Sequence, residues 1–353
     1  MAGTLLSERD WSDRDWSMAI ERQAQESLYC SESWLDLLTR LYGYSLIPLT
    51  ATDANGRVTG FLPLCSISSP LRGRRLVALP FSDQCPLLAT DSASADSLVN
   101  DAILLAQRQR ARYLELRTGV SEALSRRSDL SQSDLYVRWL APLSHDSAEP
   151  WSMLRKTVQQ KVGKARRLGV QVRVATRREE MARFYHLHLR TRTKKHGMPT
   201  QPARFFLMLW DAFAATGALQ LLLAESQGRV IAGAILLASG ATVRFAYSAS
   251  DEDYLQLAPN NLLVWEAISW GCSHGYSTLD LGRTARDNRG LMEFKRGWGG
   301  TAEPLTYYYY PHAAGLAATS ERSWKYRALT GCWKRLPLPL AKVMGDHLYK
   351  QLG

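Results

Sequence analysis

A lysine between two aromatic residues is the first place to look for chemistry in this chain. Lys295 lies in Glu293-Phe294-Lys295-Arg296-Gly297-Trp298-Gly299. A cation flanked by Phe294 and Trp298 can be held on a rigid turn and aimed at a phosphate or a developing oxyanion. Gly297 and Gly299 let the backbone come close. An ordinary surface lysine is the plainer reading. Asp280 ends an apolar strand just before Gly282-Arg283, where an acid can orient an ammonium or pair with Arg283. Tyr247 can give a proton to a leaving oxygen or sulfur, or simply be a half-buried strand tyrosine. Pro259-Asn260-Asn261 opens a helix whose free N–H groups suit a phosphate, or only an N-cap. His196, at a Gly-Pro turn beside Lys194 and Lys195, suits a substrate phosphate, a general base, or turn structure alone.

Other chemistries have no residues to carry them. There is no G-x-S-x-G nucleophile elbow and no cysteine beside a histidine in a known signature. His186 and His188 point to different helix faces and no H-E-x-x-H follows, so no metal is expected. Cys30, Cys65, Cys85, Cys272 and Cys332 show no C-x-x-C pair. Such a sparse set suggests reduced thiols in the cytoplasm rather than a zinc knuckle or a disulfide framework. The best apolar run, Ile231 to Ala238, is far short of the roughly 18 residues of a membrane span. The opening residues carry Glu8, Asp10, Asp13 and Asp15 with no apolar stretch, unlike a secretory signal.

The charge is local. The whole chain of 353 residues has a formal charge of +11, yet residues 151–200 alone hold 14 Lys+Arg against Glu179 and Glu180. Residues 321–353 add seven cations against two acids. Such concentration fits a polyanion: RNA, a diphosphate-linked precursor or an anionic membrane. A solvated helix face is the bland alternative. Trp151, Leu154, Val158, Val162 and Ala165 make an apolar stripe, leaving Lys156, Lys161, Lys164, Arg166 and Arg167 to the outer faces.

The elements that must hold these groups fall into two halves. At 46% hydrophobic and 22% charged residues the composition is that of a globular chain, and the length suggests about two domains. A helix through Trp34 and Leu41 ends at Gly43. Strands follow over 46–51, 58–67 and 75–79, the first two joined at Asn55-Gly56, a hairpin signal. A helix is expected over 95–110, with strands over 113–116 and 135–140. Polar Ser144 to Pro150 marks a boundary. The pattern then restarts: helix 151–168 stopped at Gly169, strand 170–174, helices 178–195 and 202–215, and strands 219–225, 230–238 and 242–248. Helix 259–274, strand 277–281, a helical turn 291–297 and strand 305–310 complete it. Without strand-helix alternation this is no Rossmann or barrel fold. It is an α+β class fold, a mixed and mostly antiparallel sheet flanked by helices, made twice. The expected parts are an N-terminal extension (1–25), a first lobe (26–145), a second, catalytic lobe (150–312) and a helical tail (313–353).

Over about residues 30 to 310 this order resembles the FemAB-type peptidoglycan aminoacyltransferases, members of the wider GNAT N-acyltransferase superfamily. The resemblance is carried by Lys156 and Lys164-Ala165-Arg166-Arg167-Leu168-Gly169-Val170, by Thr191 with His196-Gly197 and Pro199, and by Tyr247 and Ser250 followed by Ala258-Pro259-Asn260. Leu279-Asp280-Leu281-Gly282-Arg283 and Phe294-Lys295 with Trp298-Gly299 are its most specific pieces. The His-Gly turn and Trp333-Lys334-Arg335-Leu336-Pro337-Leu338-Pro339 are similar to the sub-group found in exopolysaccharide and exosortase-associated gene clusters.

The resemblance implies two tandem GNAT-like lobes and an N-acyltransferase acting on an amine of a cell-envelope or exopolysaccharide precursor. Lys295, Asp280 and Tyr247 would be catalytic. Lys156, Lys164, Arg167, His196, Arg283, Asn260, Asn261 and Trp298 would bind substrate, and Leu79 to Pro86 would border the acceptor cleft. No cofactor would be tightly held; the donor would be aminoacyl-tRNA or acyl-CoA. GNAT folds that use acyl-CoA carry a glycine-rich loop where this chain has the glycine-free Tyr254 to Asn261. Expected partners are a phosphate-bearing or lipid-linked acceptor, tRNA, and the inner membrane by peripheral contact, from the cytoplasm. Two rival readings remain: an acyl-CoA or acyl-carrier-dependent N-acetyltransferase on a sugar or amino acid, and a non-catalytic RNA- or membrane-associating protein of the same fold.

Overall fold

The computed structural model describes residues 27–69, 73–314 and 324–352; the expected N-terminal extension lies outside them. The chain divides into two compact units, one of residues 1–137, 304–319 and 350–353, the other of residues 138–303 and 320–349. The first unit is therefore discontinuous: residues 305–310, read from sequence as the last strand of the second lobe, cluster with it.

In the first unit, α1 (Glu32–Tyr42) starts at Ser31, whose side chain accepts the Trp34 N–H, and stops at Gly43. β1 (Ser45–Thr52), β2 (Val58–Ser69) and β3 (Gly73–Val77) follow as antiparallel neighbours, and β4 (Leu88–Ala89) pairs with β2. α2 (Ser92–Arg108) buries Leu98, Val99 and Ala102. β5 (Leu114–Leu116) then runs parallel to β3, followed by the one-turn α3 (Glu122–Ser125) and β6 (Ser131–Pro142).

The second unit opens with two helices where a single helix over 151–168 is the sequence expectation. These are α4 (Ala148–Met153) and α5 (Lys156–Arg167), separated because Leu154 is extended (ψ 142°). α5 buries Val158, Val162 and Ala165, the expected stripe. β7 (Gln171–Val174) and α6 (Met181–Arg190) come next, and Thr191–His196 continues as a π turn. After α7 (Ala203–Phe213) come β8 (Leu219–Ser226), β9 (Arg229–Ser239) and β10 (Thr242–Ser250), an antiparallel meander. α8 (Pro259–Ser273), β11 (Thr278–Ala285) and α9 (Arg289–Arg296) follow. β12 (Thr301–Tyr310) returns to pair antiparallel with β5 in the first unit's sheet through Tyr308–Tyr310. The tail forms α10 (Trp324–Arg335) and α11 (Leu338–Leu348). In the second unit the strands lie in the order β6-β11-β10-β9-β8-β7. Each unit is thus a mixed, mostly antiparallel sheet with helices against it. Tyr307, Tyr308 and Tyr309 are each at most 1% exposed and form part of the sheet core.

Candidate active site

The site grows from a fork between two parallel strands. β10 and β11 pair only from Thr242↔Thr278 to Arg244↔Asp280. Just beyond, β10 slips register against β9 between Phe245 and Tyr247, so it bends where the ladder to β11 has ended. At the last paired rung, Arg244 Nη1 donates to Asp280 Oδ2 at 2.8 Å, with side chains 14% and 4% exposed. The parallel register sets these two side by side. The sequence expectation of Arg283 as the partner is corrected: the neighbouring strand supplies the cation. No local spacing in the chain signals Arg244, because its role depends on which strands are neighbours.

Asp280 Oδ1 also accepts the Gly282 N–H at 2.7 Å. Gly282 has φ +77°, a conformation open to glycine. It breaks strand alternation, so that two successive carbonyls converge. Lys295 Nζ donates to both, at 2.9 Å to Gly282 O and 3.1 Å to Arg283 O, and the residue is 7% exposed. Lys295 is therefore a caged cation beside the free end of β11. α9, which carries it, is started by Asn288, whose side chain accepts the Leu291 N–H. Trp298 is 2% exposed and meets the Phe294 ring edge-on at 6.0 Å. The turn packs on the start of α5: Gly297 O accepts the Arg155 N–H at 3.1 Å, and Arg155 pairs with Glu293. The Arg155 guanidinium holds the Glu293 carboxyl below its ordinary range.

Asp280, Arg283, Lys295 and Trp298 thus share one neighbourhood. The other expected residues surround different features. Tyr247, at the β10 irregularity, sits edge-on to Phe205, Phe206 and His188 at 5.8, 5.5 and 6.2 Å. Asn260 Nδ2 donates to Ser250 Oγ at 3.1 Å, tying the start of α8 to the end of β10, and Asn261 is buried. α8 begins after Ala258 in the left-handed region with no side-chain cap, so its first N–H groups can face an anion. Lys156, Lys161, Lys164 and Arg167 are exposed on α5 and make no ion pair among the described residues, whereas Arg166 is engaged by Glu266 at 3.0 Å.

His196 closes the π turn, and Gly197 after it has φ +65°, with any Cβ there overlapping the Thr330 carbonyl. Desolvation, then Arg192, Lys195 and Lys334, push the His196 pKa down, which favours a neutral imidazole. A π turn is common at functional sites, and the sequence carried no sign of it within a predicted helix. The expected acceptor loop, Leu79 to Pro86, belongs to the first unit. It is pinned by buried Arg117, whose Nη1 donates to Ser82 O at 2.7 Å while Nε pairs with Glu115 at 2.7 Å. Among the described residues no group of three or more His, Cys, Asp or Glu could hold a metal. No described helix is long and apolar enough to cross a membrane.

A mixed sheet whose central parallel pair opens beside a helix N-terminus is the architecture of the GNAT class, and the acetyltransferase (GNAT) domain family matches residues 152–296. The fold extends over both units: a crystal structure of FemX covers 88% of this chain and 97% of its own, with TM-score 0.65 and 16% identity. A tandem GNAT protein from the clavulanic acid biosynthesis pathway covers 87% and 97%, with TM-score 0.56 and 14% identity. Residues 152–296 thus match a GNAT domain, and over both units the chain has the fold of FemX. In sequence it is 35% identical over 81 residues to the lipid II:glycine glycyltransferase of Staphylococcus epidermidis, and 33% over 85 residues to that of Staphylococcus haemolyticus. Each of these stretches spans 20% of the glycyltransferase's own length.

Proposed function

We propose that this chain is an aminoacyltransferase that moves an aminoacyl group from aminoacyl-tRNA to an amine of a diphosphate-bearing, lipid-linked precursor of the cell envelope or of an exopolysaccharide. The observation that carries this reading is the fork. A parallel ladder ends at the Arg244–Asp280 pair beside a caged Lys295, inside the segment matched by the GNAT domain family. In the reaction the acceptor nitrogen attacks the ester carbonyl, the C–N bond forms, and the C–O bond to the ribose breaks. The amine proton ends on the departing ribose oxygen. The fixed charge of Lys295 favours the oxyanion passed on the way. Asp280, already bonded to Arg244, acts by holding the geometry of β11, and Tyr247, at the β10 irregularity, is assigned the role of proton donor to the leaving oxygen.

Two features favour aminoacyl-tRNA over acyl-CoA. The segment from Tyr254 to Asn261 has no glycine to wrap a CoA diphosphate. The exposed cations of α5 suit a long polyanion. Such a donor puts the reaction in the cytoplasm, and no tightly bound cofactor is needed. The test offers purified protein an aminoacyl-tRNA or acetyl-CoA together with a lipid-diphosphate amine acceptor, and weighs the product. A mass increase of one aminoacyl group, from the tRNA alone, is expected. An acetylated product would replace the donor assignment with acyl-CoA, and salt-sensitive RNA binding without any product would favour a non-catalytic protein. Lys164→Glu/Arg167→Glu is expected to weaken tRNA binding, with a shallower salt dependence. Isotherms identical to wild type at two ionic strengths would return α5 to a solvated face.

A further inference from the structure

The tail hairpin is docked by one side and leaves the other uncovered. Trp333 is 6% exposed, Ala341 0% and Tyr349 7%. Gly345 lies so near Thr200 that a Cβ would stand 3.0 Å from its carbonyl oxygen. Lys194 Nζ donates to the carbonyls of Lys334 and Leu336 at 3.3 and 2.7 Å, closing the C-terminal end of α10 with a positive charge. Positions 341 and 345 of α11, with 349 just past its end, form one row. The opposite row is therefore fixed outward.

That outer surface is apolar and basic together. Leu329, Leu340 and Val343 are 54%, 46% and 54% exposed, and Leu338 and Leu348 are half-buried. Arg327, Arg335 and Lys342 are exposed, while the Lys334 stem lies against Gly197 on the docked side. Asp346 is the one carboxylate from 327 to 349, and it faces Lys342 at 3.5 Å. Single exposed leucines are ordinary on protein surfaces. Large apolar side chains among an excess of cations, on helices whose inner faces are already occupied, match the chemistry of a surface that rests on anionic lipid.

We propose that α10 and α11 lie against an anionic bilayer, with Leu329, Leu340 and Val343 entering the boundary between headgroups and acyl chains and Arg327, Arg335 and Lys342 meeting lipid phosphates. This deepens the reading of a lipid-linked acceptor, but its test needs no acceptor and no transfer, so the two can fail separately. The full-length protein is sedimented with phosphatidylglycerol/phosphatidylcholine vesicles and with pure phosphatidylcholine vesicles. Binding to the anionic vesicles, falling with salt, is expected. Leu340→Ser/Val343→Ser should lower the partition coefficient about tenfold or more. Arg327→Glu/Arg335→Glu should lower it about 25-fold, at roughly fivefold per cation. Both pairs are exposed, so thermal melting should be unchanged; were one pair to melt early, the other still decides. Failure of wild type to sediment with anionic vesicles at low salt overturns the proposal. So does wild-type partitioning of both variants, or a hairpin variant that loses RNA while keeping lipid.

Discussion

Replacing Lys295 with Met removes an ammonium that is 7% exposed and donates to two carbonyls, at 2.9 and 3.1 Å. Each such bond to a charged donor contributes about 1.5–3 kcal/mol, and a buried acceptor left without a partner costs about 1–3 kcal/mol. The methionine chain keeps most of the packing. The net loss is therefore about 2–5 kcal/mol, read as a lower urea midpoint. Lys295 thus shapes the backbone around Gly282 as well. Transfer should fall roughly 10²–10³-fold on top, measured where the variant is still folded, from loss of one preorganised charge. A variant as stable as wild type would refute the carbonyl cage. A folded variant transferring at nearly the wild-type rate would refute the catalytic role.

Arg244→Met or Asp280→Leu alone should destabilise by about 3–5 kcal/mol, and the double variant by much less, because a lone buried charge costs more than a replaced pair; urea melts of the four proteins check this. Gly197→Ala forces a Cβ onto the Thr330 carbonyl, so amide exchange across residues 324–349 should quicken by tenfold or more, and unchanged protection would contradict the docking described. His188 is 4% exposed, and burial above all holds its pKa down to about 3, below an ordinary 6.5. The unfolded chain therefore takes up a proton that the folded one refuses. Its share of stability is fully present above pH 6.5 and is lost as pH falls toward 3, at about 1.4 kcal/mol per unit. His188→Gln should flatten that slope in denaturation midpoints taken at pH 7, 6 and 5.

The local elements were legible because their signals are local. The helix ending at Gly43, the β1–β2 hairpin at Asn55-Gly56, the meander over 219–250 and the proline-led α8 all stand within a residue or a few of expectation. Each rests on periodicity or turn chemistry contained in about a dozen residues. The break at Leu154 and the π turn after Arg190 were not legible. The first follows from packing the start of α5 on the turn after α9, through Arg155 and Gly297. The second fits a stretch whose end is set against Thr330 of the tail.

The site divides the same way. By itself the sequence determined that Lys295 stands between aromatics, that Asp280 lies in an apolar strand just before Gly282, and that cations crowd 151–200, although the strand runs on to Ala285. Tertiary structure alone decided that Asp280 meets Arg244 rather than Arg283, that Lys295 closes on two carbonyls, and which of the α5 cations find an acid among the described residues. Residue type and spacing are written along the chain. Strand neighbours and register are chosen by burial summed over segments far apart in it, as Arg244 and Asp280 are, and no short window of sequence contains that sum.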